Sequence, residues 1–146
     1  MSRPTRTYVP TPEWLTLEWH HACIAAGCLC IQQCTRCRRW RHPPRRCCPD
    51  CFSDASEFRP VVGTGSIRSL AVSHRSLDPG WHDRAPYAVL LVELTEGPSV
   101  LAATDEDSGR LAIGQFVDLT IDRRSDDFVL LWANPALTFP TEEHHR

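Results

Sequence analysis

The chain contains no lysine; all 16 of its basic side chains are arginine. The formal net charge is −2, so the total gives no sign of a strongly basic nucleic-acid binder, although a local patch is compatible with it. No apolar run approaches the roughly 20 residues that a membrane-spanning helix needs. Residues 1–11 are polar and broken by proline, without the apolar stretch of a secretory signal, so the expected compartment is the cytoplasm. Glycine-rich phosphate loops, nucleophile-elbow motifs and catalytic zinc patterns are all missing, which argues against an enzyme in its own right. Residues 52–146 lack cysteine, so no disulfide framework runs through the larger part of the chain.

What the sequence does have is concentrated. All eight cysteines fall between Cys23 and Cys51. In a reducing compartment such a cluster points to metal before disulfides. Two pairs have knuckle spacing, Cys34-Thr35-Arg36-Cys37 and Cys48-Pro49-Asp50-Cys51, with ten residues between them. A short hairpin of that length returns the second knuckle to the first, and four thiolates then converge on one tetrahedral Zn²⁺. The two-residue gap lets backbone N–H groups point at the sulfurs and share their charge. Cys47 competes with Cys48, but a three-residue gap to Cys51 breaks the knuckle, so the expected metal ligands are Cys34, Cys37, Cys48 and Cys51. Iron in an electron carrier fits less well, because Arg38 and Phe52 follow the knuckles where a small residue is usual. Cys23, Cys28, Cys30 and Cys47 are read as small buried apolar residues rather than a second metal site.

Across residues 12–26, Trp14, Leu15, Leu17, Trp19, Ala22, Cys23 and Ala26 recur at spacings of three and four, which predicts an amphipathic helix. Pro12 suits its first turn, and Gly27 suits its stop. Trp14 and Trp19 are candidates either for the chain's own core or for a partner. Strands are predicted near 29–33 and 57–62 around the knuckles. Six arginines (Arg36, Arg38, Arg39, Arg41, Arg45, Arg46) face one acid, Asp50, between Cys34 and Cys51. They can offset the charge of a thiolate metal site or bind phosphate.

From Gly65 onward the pattern is β. Strands are predicted over 65–74, 87–94, 99–104, 116–123 and 128–133, with one helical turn within 106–113. The apolar run at 87–94 reads as a central strand, and Val117, Leu119 and Ile121 alternate against Asp118, Thr120 and Asp122. Five short strands with a small insert after the third predict an OB-fold barrel, with Gly63, Gly65 and Gly114 at its bends. The expected organisation is an arm and helix over 1–27, a zinc ribbon over 28–62, the barrel over 63–134 and a loose tail over 135–146.

The run QQCTRCRRWRHPPRRCCPDC, the Trp-containing helix before it, Gly63-Thr64-Gly65, His74, Pro86-Tyr87, Val92-Glu93-Leu94 with Gly97, and Ile113-Gly114 carry a resemblance to a family. The chain resembles the acyl-CoA-associated proteins built from a zinc ribbon and an OB-fold, long classed as a domain of unknown function. That resemblance implies a mainly β chain: an N-terminal helix, a rubredoxin-like zinc ribbon and a five-stranded barrel. It implies one structural Zn²⁺ on Cys34, Cys37, Cys48 and Cys51 and no catalytic residue. It implies a non-catalytic accessory subunit that docks on a thiolase-superfamily enzyme, in steroid, fatty or aromatic acyl-CoA metabolism, with an acyl-CoA held where the two proteins meet. Trp14, Trp19 and Trp40 are the expected docking residues, and the arginine cluster is the expected contact for CoA phosphates.

The alternative is a single-stranded nucleic-acid module, since ribbons and OB-folds both serve that role. Against it, residues 93–127 hold nine acids and three arginines, and the middle barrel strands offer only Tyr87 for stacking. A catalytic reading would use a free cysteine with His42 or His74, or the Asp105-Glu106-Asp107 cluster; a surface histidine and a solvated loop are the plainer explanations. His74, at the end of the first barrel strand, is the one histidine placed to meet a ligand.

Overall fold

The computed structural model of the protein describes residues 9–136. The arm expected before residue 9 and the tail expected beyond residue 136 lie outside the described residues. Helix α1 spans Trp14–Ala26. Pro12 precedes it instead of lying in its first turn, and Glu13 is its N-cap. Gly27 ends it at φ 69°, with its N–H donating to Cys23 O and Ile24 O. That left-handed cap costs a glycine nothing.

The ribbon follows as a three-stranded antiparallel sheet, in the order β2 (Trp40–Arg41), β1 (Cys30–Cys34), β3 (Ser56–Pro60). All five residues of β1 are buried. Both glutamines are hydrogen-bonded at the oxygen and the nitrogen of the amide. Gln32 Oε1 accepts from Arg41 Nε (2.8 Å) and Arg45 N (2.8 Å), and its Nε2 donates to Arg45 O (3.0 Å) and Ser56 Oγ (2.9 Å). One buried amide therefore ties two residues of the loop between the knuckles, Arg41 and Arg45, to β1 and β3. Burying a polar group is tolerable only when it is bonded in this way.

Five strands close the barrel: β4 (Thr64–Ser73), β5 (Tyr87–Leu94), β6 (Ser99–Ala103), β7 (Phe116–Arg123) and β8 (Val129–Pro135). Their order around the barrel is β4-β5-β6-β8-β7, with β7 returning to β4, and β6 and β8 run parallel. This is the OB-fold Greek key. Along β5, Ala88, Leu90, Val92 and Leu94 are buried, and alternate residues are half-covered. The apolar run thus has one core face and not two.

Two short pieces complete the fold. A 3₁₀ turn, Ser108–Arg110, lies in the segment where the sequence predicts a helical turn. A four-residue helix α2, Pro79–His82, has no counterpart in the sequence reading. Asp78 caps it through Gly80 N (2.7 Å), and Pro79 opens it, which is the Asp-Pro signal that marks a helix start. It covers Trp132. Val129, Leu131 and Ala133 join the core, and by strand alternation Trp132 points the other way, against the rings of Trp81 and the Arg84 guanidinium. No helix among the described residues is long and apolar enough to cross a membrane.

Candidate metal centre

The two knuckles are built alike. In the first, Cys34 N donates to Arg39 O (2.9 Å) and Arg38 N to Cys34 O (3.0 Å). In the second, Cys48 N donates to Ser53 O (2.8 Å) and Phe52 N to Cys48 O (2.9 Å). Each turn is completed by a non-glycine residue at positive φ, Arg38 at 66° and Phe52 at 61°. The short turns leave the amides of the loop facing sulfur, as in the 3.5 Å approach of Cys37 N to Cys34 Sγ.

The knuckles face each other. The Sγ atoms of Cys34, Cys37, Cys48 and Cys51 all lie within 4.8 Å of one another. Cys34 and Cys51 are 3.6 Å apart, and Cys37 and Cys48 are 3.5 Å apart. Disulfides would need about 2.05 Å. A tetrahedron of sulfurs about 2.3 Å from a central ion has edges of about 3.8 Å, so the donor set fits Zn²⁺ in size, number and chemistry. The backbone N–H groups, led by that of Cys37, pull the Cys34 thiol down to about 6, and Cys48 is lowered mainly by the amides of Cys51 and Asp50. For Cys37 the Arg39 N–H also pulls down, but burial and hydrogen bonds among the crowded thiols outweigh it and push that group up to about 12. Four close sulfurs cannot all ionise without a cation between them.

The remaining cysteines diverge. Cys23 and Cys30 are buried, Cys28 is half-buried and Cys47 is exposed. Burial raises Cys23 to about 12 and Cys30 to about 11, as for inert core thiols. The four metal-type sulfurs form the one cluster of metal-ligating residues found among the described residues.

The other sequence candidates are scattered. Trp19 is only 7% exposed, and its Nε1 donates to Cys30 O (2.7 Å), so it belongs to the core and not to a docking face. Trp14 is 72% exposed, with Arg46 lying 5.6 Å over its ring. Trp40 is half-buried against the core. His74 stands exposed in the bend after β4, and His42 packs on Trp19 at 5.1 Å. Asp105 pairs with Arg84, and Asp107 caps the 3₁₀ turn through Gly109 N (2.8 Å). Tyr87, the single stacking candidate, lies against Trp81 at 4.9 Å. The arginines also divide. Arg41 is buried; Arg39 and Arg45 rim a cleft with it; Arg36 and Arg38 stand in solvent.

A helix, a four-cysteine ribbon and a closed OB barrel in one chain define a class of mainly β proteins with a cysteine-clustered extension. The matches to known proteins are more particular. Residues 26–57 match the ChsH2 rubredoxin-like zinc ribbon domain, and residues 58–122 match the ChsH2 C-terminal OB-fold domain. The chain belongs to this ChsH2-type zinc-ribbon and OB-fold family, known as DUF35. A solved structure described as an Ltp2-ChsH2(DUF35) aldolase contains a chain that aligns with a TM-score of 0.78 at 32% identity, covering 88% of this chain and 100% of that one. A DUF35 domain-containing scaffold protein of Methanothermobacter thermautotrophicus is 34% identical over 89 residues, 60% of this chain and 66% of the relative. The protein named "Probable enoyl-CoA hydratase alpha subunit" of Thermomonospora curvata is 45% identical over 69 residues, 47% of this chain. The chain spans only 21% of that relative's length.

Proposed function

We propose that this chain is a non-catalytic accessory subunit of a thiolase-superfamily enzyme acting on an acyl-CoA in the cytoplasm, with Cys34, Cys37, Cys48 and Cys51 holding one structural Zn²⁺. The observation that carries the reading is the likeness to the chain in the Ltp2-ChsH2(DUF35) aldolase, which is matched over its entire length. The scaffold name of the archaeal relative supports the same role.

When bound, Zn²⁺ supplies a cross-link between the knuckles; four thiolates leave no open position for water. The side chains of this chain then act by shape. Gln32 ties Arg41 and Arg45 of the inter-knuckle loop to the ribbon's strands, Trp19 fixes the ribbon on its helix, and Trp14 with Arg46 offers an exposed aromatic and guanidinium pair of the kind that anchors interfaces. The carbon–carbon chemistry belongs to the partner, and the acyl-CoA is held near the junction.

Mild affinity purification of the tagged chain from its native host, with mass spectrometry of what accompanies it, tests the proposal. A thiolase-fold enzyme at near-equal amount is the expected result. Ribosomes, polymerase or nucleic acid in its place would replace the reading with a nucleic-acid module.

A further inference from the structure

The ribbon sheet ends at β3, Ser56–Pro60, which has β1 on one side and, among the described residues, no strand on the other. Hydrogen bonding alternates along an antiparallel pair, so the register tells which of its main-chain groups are free. Just outside the two ends of β3, Thr35 N donates to Ala55 O (3.1 Å) and Val61 N to Leu29 O (3.1 Å). The ladder between them sets Cys34 against Ser56 and Cys30 against Pro60 without a bulge. Odd-numbered residues of this stretch therefore bond to β1, and Ser56, Phe58 and Pro60 turn their main-chain groups outward. The free edge offers the N–H of Ser56 and Phe58 and the carbonyls of all three. Proline brings no donor, but its carbonyl still accepts.

Glu57 and Arg59 flank Phe58 on one face of the strand, with side chains 48% and 45% exposed and a loose 3.6 Å contact between them. Charges and proline usually blunt a free edge. Here the two charges have opposite signs at mirror positions about Phe58, so the edge is complementary to itself. A second copy laid antiparallel, with Phe58 on the two-fold axis, exchanges N–H···O=C bonds between the two Phe58 residues. Each Ser56 N–H then meets its partner's Pro60 carbonyl, so the proline is used only as an acceptor. Each Glu57 stands opposite its partner's Arg59, in the closer, non-hydrogen-bonded kind of pair. A slip of two residues in one direction sets Glu57 against Glu57, and in the other Arg59 against Arg59. Like charges directly opposite are destabilising, so one register is selected. We infer that β3 is an interface between two copies of this chain, joining the three strands of each ribbon into one continuous sheet centred on Phe58 and registered by Glu57 and Arg59. The inference is independent of the accessory-subunit reading and is tested on the chain alone, so either can fail without the other.

The test is sedimentation equilibrium of the full zinc-loaded chain at rising concentration. A reversible dimer with a Kd of about 100 μM is expected, as for a small, polar interface. Glu57→Arg sets arginine against arginine at both ends of the pairing and should weaken the dimer by at least about tenfold; Arg59→Glu should do the same with acid against acid. The double variant, Glu57→Arg with Arg59→Glu, restores opposite charges and should return the Kd to within about threefold of the parent. Arg59 Nη1 also donates to Gln33 Oε1 (3.2 Å). Glu57→Arg leaves that bond in place and carries the test should Arg59→Glu fail to fold. Unchanged melting temperature and zinc content certify each variant. Amide exchange followed by NMR reads the edge itself: a rise in concentration should slow exchange at Ser56 and Phe58 and change little at Glu57 and Arg59, whose N–H groups already bond to β1. A monomer at every concentration up to about 1 mM, a dimer of parental strength in Glu57→Arg, a folded double variant as weak as the single ones, or protection without this alternation would overturn the interface.

Discussion

Gly65 lies where β4 is paired on both sides, with Leu94 of β5 and Val117 of β7. A Cβ there would stand 2.3 Å from Glu93 O, which is backbone and cannot step aside. Gly65→Ala should therefore cost about 2–4 kcal/mol in urea unfolding, among the larger single-residue effects. At the metal centre, replacing Cys34, Cys37, Cys48 or Cys51 with Ser should yield protein that is zinc-free and unfolded at the ribbon, because metal binding there is folding energy. Cys47→Ser should keep its metal, since Cys47 is exposed and outside the sulfur cluster. His42 gives a pH signature. Burial, and then the nearby His20, lowers its pKa to about 4 from the ordinary 6.5. Between those values the unfolded chain takes up a proton that the folded chain refuses, so stability is fully present above about pH 6.5 and is lost as pH falls toward 4. Melting temperatures across that window should decline less for His42→Phe than for the parent, with zinc content measured alongside because acid also releases metal. The knuckles are legible in the sequence because cysteine spacing is a local, covalent fact. The cleft that Arg41 and His42 line together with Glu96 is not, because Glu96 comes from a turn more than fifty positions away.

Helix α1 forms where the spacing predicts one, but the apolar residues at that spacing do not share one buried face, since Trp19 and Cys23 are buried while Trp14 and Ala26 are exposed. Trp19 is sealed under the ribbon, and Trp14 stands in solvent. Trp19→Ala should cost about 3–5 kcal/mol, having lost both buried area and a buried hydrogen bond. Trp14→Ala should leave stability within about 0.5 kcal/mol and weaken partner capture; full-strength capture would remove this residue from the docking face. The barrel strands are readable because alternation reports a face directly, and β5 and β7 begin and end as expected. Helix α2 escapes such a reading because four residues carry no period. Its reason for existing, to cover Trp132, is a contact some fifty residues distant.

The ribbon and barrel share one core. Trp19, Cys23, Leu29, Cys30 and Ile31 belong to the same cluster as Ile67, Leu90, Val117 and Leu131. The point where the two matched family domains meet, between residues 57 and 58, falls inside β3, and the second match stops before β8 closes the barrel. A fragment cut at those limits should not fold. By the same continuity, stripping the metal with a chelator should lower the melting temperature of the whole chain in one transition; a barrel that melts unchanged would show two independent units. The sequence pattern locates both parts yet cannot reveal the seam, because seam contacts join α1 to residues more than a hundred positions away. His20 is the plainest of them: its Nδ1 accepts the N–H of Val129, at the start of the last barrel strand, at 3.1 Å. That backbone proton is sheltered by a side chain of the helix. In heavy water it should exchange only when α1 lifts away, so the deuterium uptake of Val129 clocks how often the ribbon's helix opens from a barrel that stays folded.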